Sequence, residues 1–95
     1  MKSFEEIIEE LYPKICNNVY CGASVPASWE VIVFAALEKL KDYPIQIVQI
    51  KSKFESLRMY YDITLEEIPN RLDMISEIDQ IIERAEHQVR ELENQ

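Results

Sequence analysis

The sequence predicts an α+β fold that is mainly helical, with two N-terminal helices, a β-hairpin and a long C-terminal helix. Near both ends of the chain, apolar residues recur at intervals of three and four, which is typical of amphipathic helices. Between residues 45 and 61 the period changes to two, and β-branched and aromatic residues are enriched, which is typical of strands. With 95 residues, about half of them apolar, we expect a single domain over residues 1–95.

The first helix is predicted over about residues 4–20. Ser3 and Glu6 have the spacing of a capping box, in which each side chain accepts a hydrogen bond from the other residue's backbone N–H. Apolar residues follow at Ile7, Ile8, Leu11, Ile15 and Val19. Pro13 has no backbone N–H, so we expect it to kink this helix or to end it early.

The second helix is predicted over about residues 29–43. The segment 17–27 before it contains the only glycine, Gly22, with Asn, Ser and Pro residues that are typical of a connection. Ser28 can cap the helix, and Pro44 ends it because the residue before a proline avoids the helical conformation. Its predicted buried residues are Trp29, Ile32, Val33, Ala36, Leu37 and Leu40.

The last helix is predicted over about residues 65–93, with Thr64 and Glu67 again at capping-box spacing. Asp79 lies where the apolar stripe predicts an apolar residue. At 1.5 Å per residue the helix is about 40 Å long, more than the width of such a domain. Because its stripe continues to Leu92 without an obvious partner, we predict a homo-oligomer formed through this C-terminal helix; an exposed, frayed end is the alternative.

Charge is distributed unevenly along the chain, whose formal net charge is −8. Residues 44–61 hold three cations and one acid, whereas residues 1–43 hold four Lys against seven acids and residues 62–95 three Arg against ten acids. The overall negative field argues against long nucleic acid and anionic membranes as partners, since each phosphate contact needs a nearby cation. A small anion bound by a local group of cations is compatible with it.

Neither a metal, a cofactor nor a catalytic motif is expected. Cys16 and Cys21 are the only thiols and His87 is distant in sequence, so zinc lacks ligands, and we expect two ordinary, mostly buried thiols. Gly-rich phosphate loops and nucleophile motifs are absent, which argues against an enzyme. Without a signal peptide or an apolar run of about 18 residues, a cytoplasmic location is expected.

The hairpin, predicted over about residues 45–61, separates its residues into an apolar and a polar face if Glu55 and Ser56 form the turn. The polar face then pairs Lys53 with Arg58, Lys51 with Tyr60 and Gln49 with Asp62. Like charges directly opposite one another destabilise two strands, so Lys53 against Arg58 indicates a bound anion. The alternative is that these cations pair with helix acids such as Glu66, Glu67 and Asp73, at ~0–1 kcal/mol each.

The pattern predicts a site for a small, phosphorylated, nucleotide-like ligand. Arg58 suits bidentate phosphate binding, the lysines act as point charges and Tyr60 offers a stacking surface. The predicted ligand-binding residues are Gln49, Lys51, Lys53, Arg58, Tyr60 and Tyr61.

Residues 48–60, VQIKSKFESLRMY, resemble a segment V-Q-V-K-x-K-F-G-x-L-R-F-Y shared by small, mostly uncharacterised phage and prophage proteins. Glu55 replaces the family's glycine, and the Cys-x-x-Cys-Gly ending of many members is absent. The resemblance implies a phage-borne accessory protein that acts in the host cytoplasm against host defence, by sequestering a nucleotide signal or by masking a host defence protein. In the second case, the acids between Glu66 and Glu93 would dock on a basic host protein or mimic nucleic-acid charge.

Overall fold

The computed structural model describes residues 2–94, which form three α-helices and a three-stranded sheet and confirm the α+β fold with its C-terminal helix. In chain order the elements are α1 (Phe4–Leu11), β1 (Ala23–Ser24), a 3₁₀ turn (Ala27–Trp29), α2 (Glu30–Leu40), β2 (Ile45–Lys53), β3 (Ser56–Ile63) and α3 (Arg71–Glu93). The strand order is β1-β2-β3, so β2 is central and β3 lies at one edge.

The first helix is much shorter than predicted. Ser3 and Glu6 form the expected capping box, but α1 ends at Leu11, two residues before Pro13, which lacks the N–H and the steric room that a helix interior requires. The chain beyond it runs beside β2 instead: the Ile47 N–H donates to the Ile15 carbonyl at 2.7 Å and the Ile50 N–H to the Gly22 carbonyl at 3.1 Å. The apolar residues of this segment therefore enter the core from a series of turns rather than from a helix.

The segment 15–24 also supplies a strand that the sequence did not reveal. Its last two residues form β1, which pairs in parallel with β2 at Ile50 and Lys51. Two residues are too few to produce an alternating pattern, so only the pairing with β2 identifies them as a strand.

The second helix begins as a 3₁₀ turn and becomes α-helical from Glu30 to Leu40. Ser28 lies inside that turn and does not cap the helix, which has no side-chain cap. The helix ends before Tyr43. Five of the six residues predicted for its inner side are buried, namely Trp29, Val33, Ala36, Leu37 and Leu40.

The hairpin turn lies one residue earlier than predicted. Phe54 and Glu55 form it with positive φ angles of 54° and 60°, and Lys53 pairs with Ser56. Two successive left-handed residues are the hallmark of the I′ turn that matches strand twist, and here neither is glycine. The prediction of Glu55 and Ser56 as turn residues was wrong.

A β-bulge at Val48 explains the spacing of three buried isoleucines in β2. The register changes between Ile47, opposite Tyr61, and Gln49, opposite Tyr60, so one extra residue is accommodated on β2. Ile45, Ile47 and Ile50 would not share a face in a regular strand, but the bulge turns all three toward the core, where each is at most 1% exposed.

α3 begins at Arg71 rather than near residue 65. Asn70 precedes it in a left-handed conformation, and the Thr64 N–H donates to the Pro44 carbonyl instead of taking part in a capping box. The helix packs on α2 and β3 through Ile78, Ile82, Ala85 and Val89.

The far end of α3 has partners within the chain. Leu92 packs against the core, and the Trp29 Nε1–H donates to Glu93. Self-association through this helix was predicted because Leu92 had no obvious partner within the chain. In the structure Leu92 does have such a partner. Among the described residues, no helix combines the length and apolar character needed to cross a membrane.

Candidate ligand-binding site

One face of the hairpin carries most polar residues of both strands and is here called the outer face. It consists of Gln46, Gln49, Lys51, Lys53, Ser56, Arg58, Tyr60 and Asp62. The residues that alternate with them, such as Ile50, Leu57 and Met59, are buried against the core. Lys53, Tyr60 and Asp62 are exposed, and Lys51 and Arg58 are partly buried.

Five of the six predicted ligand-binding residues lie on the outer face, and Tyr61 does not. Its side chain is on the inner face, opposite Ile47, and its hydroxyl donates to the Asp79 carboxylate on α3 at 2.9 Å. Burial and this hydrogen bond raise the pKa of Tyr61 to about 12. Tyr61 lies on the inner face because it alternates with Leu57 and Met59 along β3, and its hydrogen bond explains why Asp79 interrupts the apolar stripe of α3.

The two cations that lie opposite each other on β2 and β3 are not the predicted two. Lys51 lies directly opposite Arg58, whereas Lys53 lies opposite Ser56. Because the turn moved by one residue, every partner moved by two, and a shift of two keeps each side chain on its face. All three cations therefore still share the outer face.

No acidic side chain neutralises these cations in the described part of the chain. Its ion pairs join Lys2 to Glu10, Lys41 to Glu38 and His87 to Glu91, so no carboxylate lies within 4.0 Å of Lys51, Lys53 or Arg58. The Arg58 Nε is buried and has no hydrogen-bond partner. Pairing with Glu66, Glu67 or Asp73, the alternative weighed from the sequence, is thus not observed.

Aromatic rings lie beside the cations. The Lys51 Nζ is 5.8 Å from the centre of the Tyr60 ring, and the Lys53 Nζ is 5.6 Å from that of Phe54. Both rings are solvent-accessible, with 46% of Tyr60 and 86% of Phe54 exposed. Cation–π contacts at such exposed positions stabilise by about 0.5–1 kcal/mol.

Tyr20 was missed as part of this surface. It is 63% exposed, and its hydroxyl donates to Asp62 at 3.3 Å. The charge of Asp62 is the main cause of a raised Tyr20 pKa. No local sequence signal could have placed Tyr20 here, because only the path of segment 15–24 beside β2 brings it to β3.

Gln49 fixes that segment. Its Nε2 donates to the Cys21 carbonyl at 3.1 Å, and the Cys21 N–H donates to the Val48 carbonyl. Cys21 itself is exposed, so the expectation of a buried thiol is wrong there, whereas Cys16 is buried and burial raises its pKa to about 12. Residues 2–94 contain no group of three or more His, Cys, Asp or Glu side chains arranged to hold a metal ion.

The fold and the site together define a small α+β protein with one cationic, aromatic sheet face. No protein-family model matches the chain, and neither a curated protein nor a solved structure matches it. The phage-family resemblance of residues 48–60 stays a prediction.

Proposed function

We propose that this protein is a non-enzymatic binding protein that sequesters a small phosphorylated nucleotide on its outer face. The observation that carries the proposal is the opposition of Lys51 and Arg58 with no carboxylate near either. Directly opposed like charges destabilise two strands, and a bound phosphate between them makes each cation's interaction with its surroundings favourable.

Each residue type has a distinct role in this proposal. Arg58 binds phosphate oxygens through its planar fork, which includes the unpartnered Nε. Lys51 and Lys53 supply point charges on the same face. Tyr60 stacks against the base, and stacking on an aromatic side chain is worth about 1–3 kcal/mol per base.

The charge of the whole chain limits the size of the ligand. With a net charge of −8, the protein repels a long polyanion everywhere except at the outer face. A mononucleotide or a short linear or cyclic oligonucleotide is small enough to contact that local positive region alone. The family resemblance adds the biological setting: a phage protein that removes a nucleotide signal of host defence in the host cytoplasm.

Native mass spectrometry tests the proposal first. The protein is isolated gently from cells that express it together with a panel of nucleotide-based defence systems, and is passed through gel filtration. We expect an added mass that identifies the ligand and its stoichiometry. Unliganded protein under every condition would count against sequestration.

A matched pair of variants tests the site itself. Titration calorimetry with the identified nucleotide should show at least a tenfold loss of affinity in a Lys53→Glu, Arg58→Glu variant. A Lys14→Glu, Lys39→Glu variant carries the same change in net charge on exposed lysines away from the outer face, and should bind normally. If both variants bind the nucleotide with equal affinity and show equal helicity by circular dichroism, the outer face is not the binding site.

Failure of both experiments favours the second predicted function, in which acids of α3 dock on a basic host defence protein. A salt-sensitive complex with such a protein, weakened by neutralising Glu77, Glu83 and Glu86, would establish it. These three acids form no ion pair among the described residues, although Glu77 accepts a hydrogen bond from the Tyr43 hydroxyl at 2.9 Å.

A further inference from the structure

β3 has one edge that no strand covers. It lies at the end of the sheet, and among the described residues none of its backbone groups bonds to any segment other than β2. Such an edge is a template for another strand unless proline, a bulge or inward-pointing charge blocks it. β3 contains no proline, and the bulge of this hairpin lies on β2 instead.

The hydrogen bonds of β2 identify the free backbone groups of β3. The N–H groups of Ile47 and Ile50 point away from β3, to the carbonyls of Ile15 and Gly22. In an antiparallel ladder, the two residues of an opposed pair either hydrogen-bond to each other or both point their N–H and C=O groups away from the partner strand. The partners of these two residues, Tyr61 and Met59, therefore present their N–H and C=O groups at the open edge.

We propose that β3 pairs with β3 of a second copy of this chain, antiparallel and about a twofold axis at Tyr60. In this register Met59 faces Tyr61 of the second copy, so the residues with free backbone groups meet and form about four hydrogen bonds across the axis. Their side chains lie on the inner face in both copies. Tyr60 faces its own counterpart on the outer face.

Charge complementarity selects this register. Arg58 faces Asp62 of the second copy, and the symmetry makes the same pair on the other side of the axis. A shift by two residues in either direction removes both pairs, while a shift by one would turn apolar side chains outward. Arg58 has no acidic partner within its own chain, so Asp62 of the second copy supplies one through part of the guanidinium, whose other N–H groups stay available to a phosphate.

Burial sets the length of the paired segment. Leu57 has no exposed surface and Met59 only 6%, whereas Tyr61 and Ile63 are partly exposed. The pairing therefore runs from residue 58 to residue 62 and stops short of Leu57. It joins the two outer faces into one, with Lys51 of each copy beside the Tyr60 ring of its own chain.

Analytical ultracentrifugation of the ligand-free chain over a concentration series tests the pairing. We expect a monomer–dimer equilibrium for the native sequence. Arg58→Asp sets acid against Asp62 of the second copy, and Asp62→Arg sets a cation against Arg58, so each variant alone should raise the dimer dissociation constant at least tenfold. The double variant, with the charges exchanged, should recover the dimer.

Mixing the two single variants gives the sharpest result. The Arg58→Asp chain then has acids at both paired positions and the Asp62→Arg chain has cations at both, so each acid faces a cation across the axis. We expect a heterodimer from two chains that are each monomeric alone, which also shows that both variants are folded. Lys53→Asp is the control: it lies on the outer face but outside the pairing, so it should dimerise normally even if it loses nucleotide.

A monomeric native chain overturns the proposal, and so does a dimer that Arg58→Asp and Asp62→Arg leave unchanged. The second result would place self-association elsewhere, such as on α3. Because every measurement is made without nucleotide, none of these outcomes depends on whether the protein sequesters one.

Discussion

The two faces of the β2–β3 hairpin are built from alternate residues of the same strands. They differ in whether their polar and charged groups have partners within the chain. On the inner face Ile50 opposes Met59, both buried, and the Tyr61 hydroxyl is bound to Asp79. On the outer face Lys51 opposes Arg58 without an acid. The inner face is complete within the monomer, whereas the outer face has charges that only a partner or ligand neutralises.

The largest expected effect contrasts adjacent residues of β2. Ile50→Ala removes a fully buried side chain from the centre of the core and should lower the free energy of unfolding by about 2–5 kcal/mol. Lys51→Ala, one residue away on the outer face, should change it by less than about 0.5 kcal/mol. Urea denaturation monitored by circular dichroism measures both, and similar losses would mean that the outer face is also structural.

The two adjacent tyrosines of β3 give the next contrast. Tyr61→Phe deletes the hydrogen bond to Asp79 and should cost about 0.5–1.5 kcal/mol, while Tyr60→Phe, whose hydroxyl forms no hydrogen bond within the described chain, should be nearly neutral. Equal costs would contradict the assignment of Tyr61 to the inner face.

The same pair has a pH signature. The folded-state pKa of Tyr61 is about 12, above the value of 10 expected when unfolded, so the folded protein keeps a proton that the unfolded chain loses. This contribution to stability is complete below pH 10 and disappears as the pH rises to 12. Unfolding measurements across that window should show a smaller loss in Tyr61→Phe than in Tyr60→Phe.

The turn that joins the strands offers a smaller, stabilising change. Glu55 has a φ of 60°, which costs a non-glycine residue about 1–2 kcal/mol and costs glycine nothing. After the loss of chain entropy that glycine brings, Glu55→Gly should raise the free energy of unfolding by about 0.5–1 kcal/mol. A Glu55→Ala control keeps the strain, so stabilisation of both variants would point to the charge of Glu55 instead.

The smallest effect concerns the outer face itself. Lys51→Glu replaces two opposed cations by an ion pair with Arg58 and should stabilise the ligand-free protein by about 0.2–1 kcal/mol while weakening nucleotide binding. Lys53→Glu, opposite Ser56, should stabilise less. Unchanged or lower stability in Lys51→Glu would show that the opposed cations carry no cost in the native protein.

Local patterns were sufficient for part of this structure. The capping box at Ser3, the inner side of α2 and the later part of the apolar stripe of α3 were predicted because they depend on residues three or four apart, whereas Leu65 and Leu72, expected in that stripe, are exposed. The residues of the outer face were predicted even though the predicted turn was wrong, because changing each cross-strand partner by two residues leaves every side chain on the same side of the sheet.

The sequence alone determined which residues alternate between core and solvent, because that follows from the geometry of one strand or one helix. Tertiary structure decided the rest: segment 15–24 lies beside β2, Tyr20 reaches Asp62, and Tyr61 turns inward to Asp79. These contacts join residues 18 to 42 positions apart, and their energies exist only once the core has brought the elements together. Tertiary packing also decides that Leu92 docks on the core. It likewise stabilises the turn at Phe54 and Glu55, although residues other than glycine disfavour positive φ angles.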